Sequence, residues 1–148
     1  MNLLDAHFLQ FLDLLNKHEV EYLLVGGHAV ILHGYPRSTG DMDIWVSPTN
    51  KNASKLVKAV DEYGFDASAL LDMDFTQMLV FDVGTPPAHI EIMNYISGVD
   101  FQTAFAQKKM AEMEGTSFNL IHLSDLRKNK AASARYKDLD DLEHLNKL

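Results

Sequence analysis

The most constraining stretch of this chain is residues 21–46, EYLLVGGHAVILHGYPRSTGDMDIWV. An apolar run ends in Gly26-Gly27, a short helical segment follows, Tyr35-Pro36 makes a turn, and a second apolar run carries Asp41 and Asp43. Successive side chains of a strand alternate faces, so these two acids are expected to point the same way, roughly 6.5–7 Å apart along the chain. Carboxylates aimed at one point repel each other unless a cation sits between them. Magnesium, held by one or two carboxylates and by substrate phosphates, is the usual cation for such a pair. The two glycines stand at a strand-to-helix junction, where backbone N–H groups can approach an anion closely. A phosphate cradle and a pair of metal-binding acids are therefore expected on neighbouring elements.

The remaining sequence predicts the scaffold around this stretch. Residues 2–18 place Leu3, Leu4, Phe8, Phe11, Leu12, Leu14 and Leu15 near helical spacing. Val20–Val25 reads as a strand covered on both faces. Met42, Ile44 and Val46 supply the core side of the second strand, and Trp45, on the carboxylate face, is expected to pack against a neighbouring element rather than line a cleft. A helix is predicted over 49–63, capped at Thr49 or Asn50 and stopped by Gly64. Strands are expected over Gln77–Val83 and His89–Asn94, joined through Gly84-Thr85-Pro86-Pro87. Val99–Glu114 reads as a helix burying Phe101, Phe105 and Met110. A short strand at 117–123, a helix from Ser124 to about Ser133, and a last helix from Lys137-Asp138 carrying Leu139, Leu142 and Leu145 at helical spacing complete the chain.

Glu91 is a lone acid in an apolar strand. As an isolated residue it fits a solvent-facing position on an edge strand. His28 and His33 stand at i, i+5, off a shared helix face, so they do not form a zinc pair. They are expected to support the site and to pack or lie at the surface, respectively. Gly26-Gly27 lacks the downstream Lys-Ser/Thr of a Walker loop and the third glycine of a dinucleotide fingerprint.

Gly26-Gly27 followed by Arg37-x-Thr39-x-Asp41-x-Asp43 resembles the polymerase-beta-like nucleotidyltransferase superfamily, and within it the abortive-infection type IV toxin nucleotidyltransferases. The tail, Leu126-Arg127-Lys128-Asn129-Lys130 and then Arg135-Tyr136-Lys137-Asp138-x-x-Asp141, resembles the same group. The resemblance implies an α/β fold of one nucleotidyltransferase-type domain spanning 1–148. Its parts would be a short mixed sheet, helices packed largely on one face, and C-terminal helices. It implies catalytic and metal roles for Asp41, Asp43 and Glu91, with Mg²⁺ or Mn²⁺ as cofactor; the superfamily's third acid is more often Asp, so Glu91 is a departure. It implies nucleotide-binding roles for Gly26, Gly27, Arg37, Thr39, Lys130, Arg135 and Asp138, with Lys137 a further phosphate contact. Taken without the resemblance, Lys130 and Asp138 fit a solvated basic helix end with Asp138 as its cap equally well. The activity implied is transfer of a nucleotidyl group from a nucleoside triphosphate to a hydroxyl of a tRNA end, a protein or a small molecule, in a toxin–antitoxin or phage-defence setting. A different class of function shares the same fold: a catalytically weak nucleotide-binding or antitoxin-like partner of a cognate toxin.

Composition narrows the partners. A formal net charge of −8 argues against a surface built to bind nucleic acid indiscriminately, which needs a basic field. A local basic wall is still available, because Arg127, Lys128, Lys130, Arg135 and Lys137 fall close together. No run reaches membrane-spanning length, the first residues lack the basic start of a secretion signal, and the absence of cysteine suits a cytoplasmic protein.

Overall fold

The computed structural model describes residues 4–148; Leu3 and the start of the first expected helix lie outside them. The helix α1 (Ala6–Lys17) begins where the Asp5 carboxylate accepts a hydrogen bond from the His7 N–H, and it buries Phe8, Leu9, Phe11, Leu12, Leu14 and Leu15. It leads into β1 (Tyr22–Val25), α2 (Gly26–Leu32), β2 (Met42–Val46) and α3 (Asn50–Glu62), the last capped by Thr49. After a single 3₁₀ turn at Ser68–Asp72 come β3 (Val80–Val83), β4 (Ile90–Met93), α4 (Phe101–Ala106), β5 (Lys109–Met113), β6 (Thr116–Leu120), α5 (Leu123–Ser133) and α6 (Tyr136–Leu145).

The six strands form one mixed sheet in the order β3-β4-β2-β1-β6-β5. The pairs β2–β4 and β1–β6 are parallel, and the other three are antiparallel. Register sorts the side chains by face. Tyr22, Leu24, Met42, Ile44, Val46, Ile90 and Ile92 share the face on which α1 and α3 lie, and all are buried. The Tyr22 hydroxyl donates to Asn16 of α1, and Phe11 of α1 meets Tyr63 at the end of α3 edge-on. Leu23, Val25, Asp43, Trp45, Glu91 and Met93 share the opposite face. Trp45 packs edge-to-face on Phe101, so α4 closes one end of that face and Trp45 is a core residue, as expected.

Three expectations are corrected. The segment 99–114 is no single helix: α4 stops at Ala106 and the chain turns into β5, which leaves Met110 exposed. Lys109, Met110, Ala111 and Glu112 are good helix formers, but pairing with β6 across the two-residue turn Glu114-Gly115, both at positive φ, overrides that preference. Glu91 does not sit on an edge strand, since β4 is flanked by β3 and β2. Asp138 is not the N-cap residue: Arg135 occupies that position, and Asp138, buried at the third helical position, accepts the Arg135 backbone N–H. Leu139 points out to solvent, leaving Leu145 as the fully buried leucine of α6.

Candidate functional site

The floor of the candidate site is a row of side chains running across four strands. Asp43 on β2 is flanked by Val25 on β1 and by Glu91 on β4, and Glu91 is paired in turn with Asp82 on β3. Adjacent strands lie about 4.8 Å apart, so Asp43 and Glu91 carry negative charge side by side. Burial pushes the Asp43 carboxyl up, the charges of Glu91 and Asp41 push it further, and it reaches about 6 even though Lys130 and Lys137 pull the other way.

Asp41 lies just before β2 and is half exposed. Its Oδ2 is 2.9 Å from Nδ1 of His89, whose Nε2 is 3.5 Å from the Asp82 carboxylate. The Asp41 carboxylate is the main reason that His89 titrates above its ordinary value.

The glycine turn is shaped by these neighbours. Gly26 has φ +70°, and a Cβ there would overlap the carboxylate of Asp43. At Gly27 a Cβ would overlap the side chain of Thr39 and come within 3.2 Å of Arg37 Nη2. The backbone at the start of α2 thus approaches the acid of β2 on one side and the 37–39 loop on the other, with no room for a side chain. Gly26→Ala combines that overlap with left-handed strain, and we expect it to cost about 1–3 kcal/mol or more of stability. Urea unfolding of the variant measures this; an unchanged midpoint would mean that Asp43 does not press against the turn.

Across from the acids, α5 and α6 form a wall of interlocked charges. Lys130, 5% exposed, places Nζ 3.2 Å from Asp138 Oδ1 and 3.0 Å from Asp141 Oδ2. Asp141 is fully buried and accepts from Arg37 through both oxygens, Nε at 2.8 Å and Nη2 at 3.0 Å. Asp138 accepts from the backbone N–H and Nε of Arg135. Burial pushes the Asp138 carboxyl up, but hydrogen bonds from Arg135 and Lys130 outweigh it and hold the group at about 2. Both residues are buried, which overturns the solvated helix end for Lys130 and Asp138.

Between floor and wall lies a cleft of about 470 Å³. Gly26, Gly27, Arg37, Asp43, Glu91, Lys130, Arg135, Lys137 and Asp138 all line it. Asp41 and Thr39 are outside the lining: one is turned to His89, the other is packed against Gly27. His28 is buried against Phe8, and His33 is hydrogen-bonded to the Ile121 carbonyl. Two residues of the arrangement were assigned no role from sequence, although Asp141 closes the tail motif quoted above. Asp141 stands at i, i+3 from Asp138, a spacing that shares a helix face, and His89 shares its strand face with Glu91.

The donor set suits a hard cation, since Asp43, Glu91 and Asp41 offer only oxygen. The raised Asp43 carboxyl is compatible with this: burial is its main cause, and the charges of Glu91 and Asp41, which a cation would offset, add to it. Among the described residues, however, no three acidic or histidine side chains already converge as a metal-binding group. Two carboxylates stand in place and the third is engaged by His89.

No protein-family model and no curated protein matches the chain. Among solved structures it is similar to the crystal structure of a Thermotoga maritima protein provisionally named a nucleotidyltransferase, with a TM-score of 0.58. The likeness covers 93% of this chain and 87% of that one at 16% identity. At that identity the likeness shows the fold, which is of nucleotidyltransferase type.

Proposed function

We propose that a chain with this fold and this cleft is a metal-dependent nucleotidyltransferase. The observation that carries the reading is the side-by-side pair Asp43 and Glu91, set beneath a side-chain-free glycine turn and facing the wall that holds Lys130. An acidic floor opposite a cationic wall suits a triphosphate bound through a cation on one side and by direct charge on the other. Gly26 and Gly27 let the phosphates approach the backbone, and Lys130, Arg135 and Lys137 offset their charge. Asp43, Glu91 and Asp41 would hold Mg²⁺ or Mn²⁺, Asp41 after leaving His89. A bound cation would supply charge stabilisation of the attacking and leaving oxygens in an in-line displacement. Glu91 accepts the proton of an acceptor hydroxyl, whose oxygen bonds to the α-phosphorus as the bond to the β-phosphate oxygen breaks and pyrophosphate departs.

The finer parts of the reading belong to the proposal too. They comprise a single domain over 1–148, kinship with the abortive-infection toxin group, a toxin–antitoxin or phage-defence role, a cytoplasmic location, and a hydroxyl acceptor on a tRNA end, a protein or a small molecule. Among the described residues no helix is long and apolar enough to cross a membrane. A second reading, a nucleotide-binding or antitoxin-like partner with little catalysis of its own, is favoured by one observation: the engagement of Asp41 by His89.

Pyrophosphate release from each common nucleoside triphosphate with Mg²⁺ or Mn²⁺, in the presence of tRNA, protein and small hydroxyl compounds as acceptors and measured beside thermal melts, separates these readings. We expect release by the wild type and none by an Asp41→Asn/Asp43→Asn double variant. The same mixture should stabilise the wild type by about 2.7 kcal/mol at a hundredfold excess over the dissociation constant. A melt that shifts without pyrophosphate release selects the binding protein. A melt indifferent to every triphosphate rejects both.

A further inference from the structure

We infer that Asp141 is a positioning residue that aims the two cations of the triphosphate wall, Arg37 and Lys130; the inference rests on the nucleotidyltransferase reading of the cleft. Arg37 comes from the loop between α2 and β2, and Lys130 from α5, so no backbone element of their own fixes one relative to the other. Their shared partner is Asp141 on α6, which holds Arg37 on both oxygens and Lys130 at 3.0 Å on Oδ2. It does not line the cleft, whereas both of its partners do. With no exposed surface it cannot meet a ligand, and whatever it does for binding passes through those two side chains.

Donor counting argues for aiming rather than neutralising. A guanidinium has five N–H donors and an ammonium three. Arg37 directs three, through Nε and Nη2 to Asp141 and through Nη1 to the Ser38 carbonyl, so two remain. Lys130 donates one hydrogen bond, to Asp138, and stands 3.0 Å from Asp141 in an ion pair, so at least one donor remains. Each cation therefore keeps donors for an incoming anion while the carboxylate fixes its direction. A bidentate grip on a planar fork is the geometry in which a carboxylate sets orientation most firmly, and a lysine cannot reproduce it. The Nη2 edge of Arg37 is also the part nearest Gly27, so the grip by Asp141 places a charge beside the glycine turn.

The test is calorimetric binding of magnesium tripolyphosphate, which carries the phosphate chain without a base or an acceptor. Wild type, Asp141→Asn, Arg37→Lys and the double variant are compared, each confirmed as folded by circular dichroism. Asp141→Asn should weaken binding tenfold or more, and Arg37→Lys at least fivefold with Asp141 still present. The double variant should bind within about twofold of Asp141→Asn alone, because an Arg37 that has lost its aim has little left to lose. Unchanged or tighter binding by Asp141→Asn would overturn the inference and make Asp141 a mere counter-charge. Effects of the two substitutions that simply add would overturn it as well. Should Asp141→Asn fail to fold, Arg37→Lys decides alone, and wild-type affinity in that variant rejects the role. No binding by the wild type rejects the triphosphate cleft itself, an outcome distinct from all of these.

Discussion

Asp43→Asn is expected to abolish nucleotidyl transfer and, without divalent metal, to make the protein more stable at neutral pH. The loss of turnover should be on the order of a thousandfold or more, equivalent to about 4 kcal/mol of transition-state stabilisation. The gain in stability follows from the same carboxyl. Its pKa rises from 3.8 to about 6 on folding, through burial first and then through the charges of Glu91 and Asp41. A carboxyl raised in this way holds its proton more tightly in the folded state than in the unfolded one. Folding therefore begins to lose stability as pH rises past 3.8, and the whole penalty is present above 6; it is at most about 3 kcal/mol. Asparagine cannot ionise and escapes the penalty. Urea unfolding in EDTA at pH 4.5 and 7.5 should show the variant gaining on the wild type between the two. Adding Mg²⁺ at the higher pH should then narrow the gap by stabilising the wild type alone. A variant less stable than wild type at pH 7.5 would refute the account of Asp43 as an unneutralised acid.

Lys130→Ala should be the most destabilising single change in the cation wall. Lys130 stands between Asp138 and Asp141, both buried, and removing it leaves two carboxylates short of counter-charge. Breaking a buried pair in this manner costs about 3–5 kcal/mol, because the remaining charge stays desolvated. For a domain of this size the melting temperature should fall by roughly 6–20 °C. The pH dependence has the opposite sign to that of Asp43. With its carboxyl held at about 2, Asp138 contributes stability above its ordinary value of 3.8 and loses it as pH falls toward 2. In Lys130→Ala the Asp138 carboxyl moves back toward its ordinary value, so the acid-dependent loss should be smaller and complete at higher pH. Thermal melts from pH 2 to 7 measure both effects, and a variant that melts like the wild type throughout would mean that the wall does not depend on this lysine.

The floor of the site was legible in the sequence because its information is local. Strand alternation alone places Asp43 opposite the buried Ile44, and the same alternation groups His89 with Glu91. Two glycines at the end of an apolar run announce a close approach even before the approaching atoms are known. The wall was only half legible. Lys130 and Asp138 could be named, yet sequence offered no choice between a solvated helix end and a buried network, since burial there is decided by packing against segments far away in the chain. Arg37 and Asp141 lie 104 positions apart, and nothing in either neighbourhood announces the other. Asp41 was legible as a residue but not as a conformation, because its turn toward His89 depends on how β2 and β4 align. The segment 106–113 misled because its side chains favour a helix one by one, while its fate is set by hydrogen bonds to β6.

The contact between Arg37 and Asp141 also fixes when, in folding, the cleft can come into being. Closing a loop of that span costs about 4 kcal/mol of chain entropy, and a buried ion pair returns little net of the desolvation of its two charges. The pair cannot draw the two segments together, and apolar burial of Leu126 and Leu145 on α5 and α6 has to bring them there first. β1, β2 and the glycine turn, by contrast, lie within 25 residues of one another, so the part of the acidic side that carries Asp41 and Asp43 can organise early. Between those two moments the chain displays clustered carboxylates with no opposing cations, a surface that attracts divalent metal but repels polyphosphate. On the proposed reading, the cations that would face a triphosphate are thus set in place last, when the α5–α6 hairpin docks, and their arrangement distinguishes the finished molecule from its incomplete precursors.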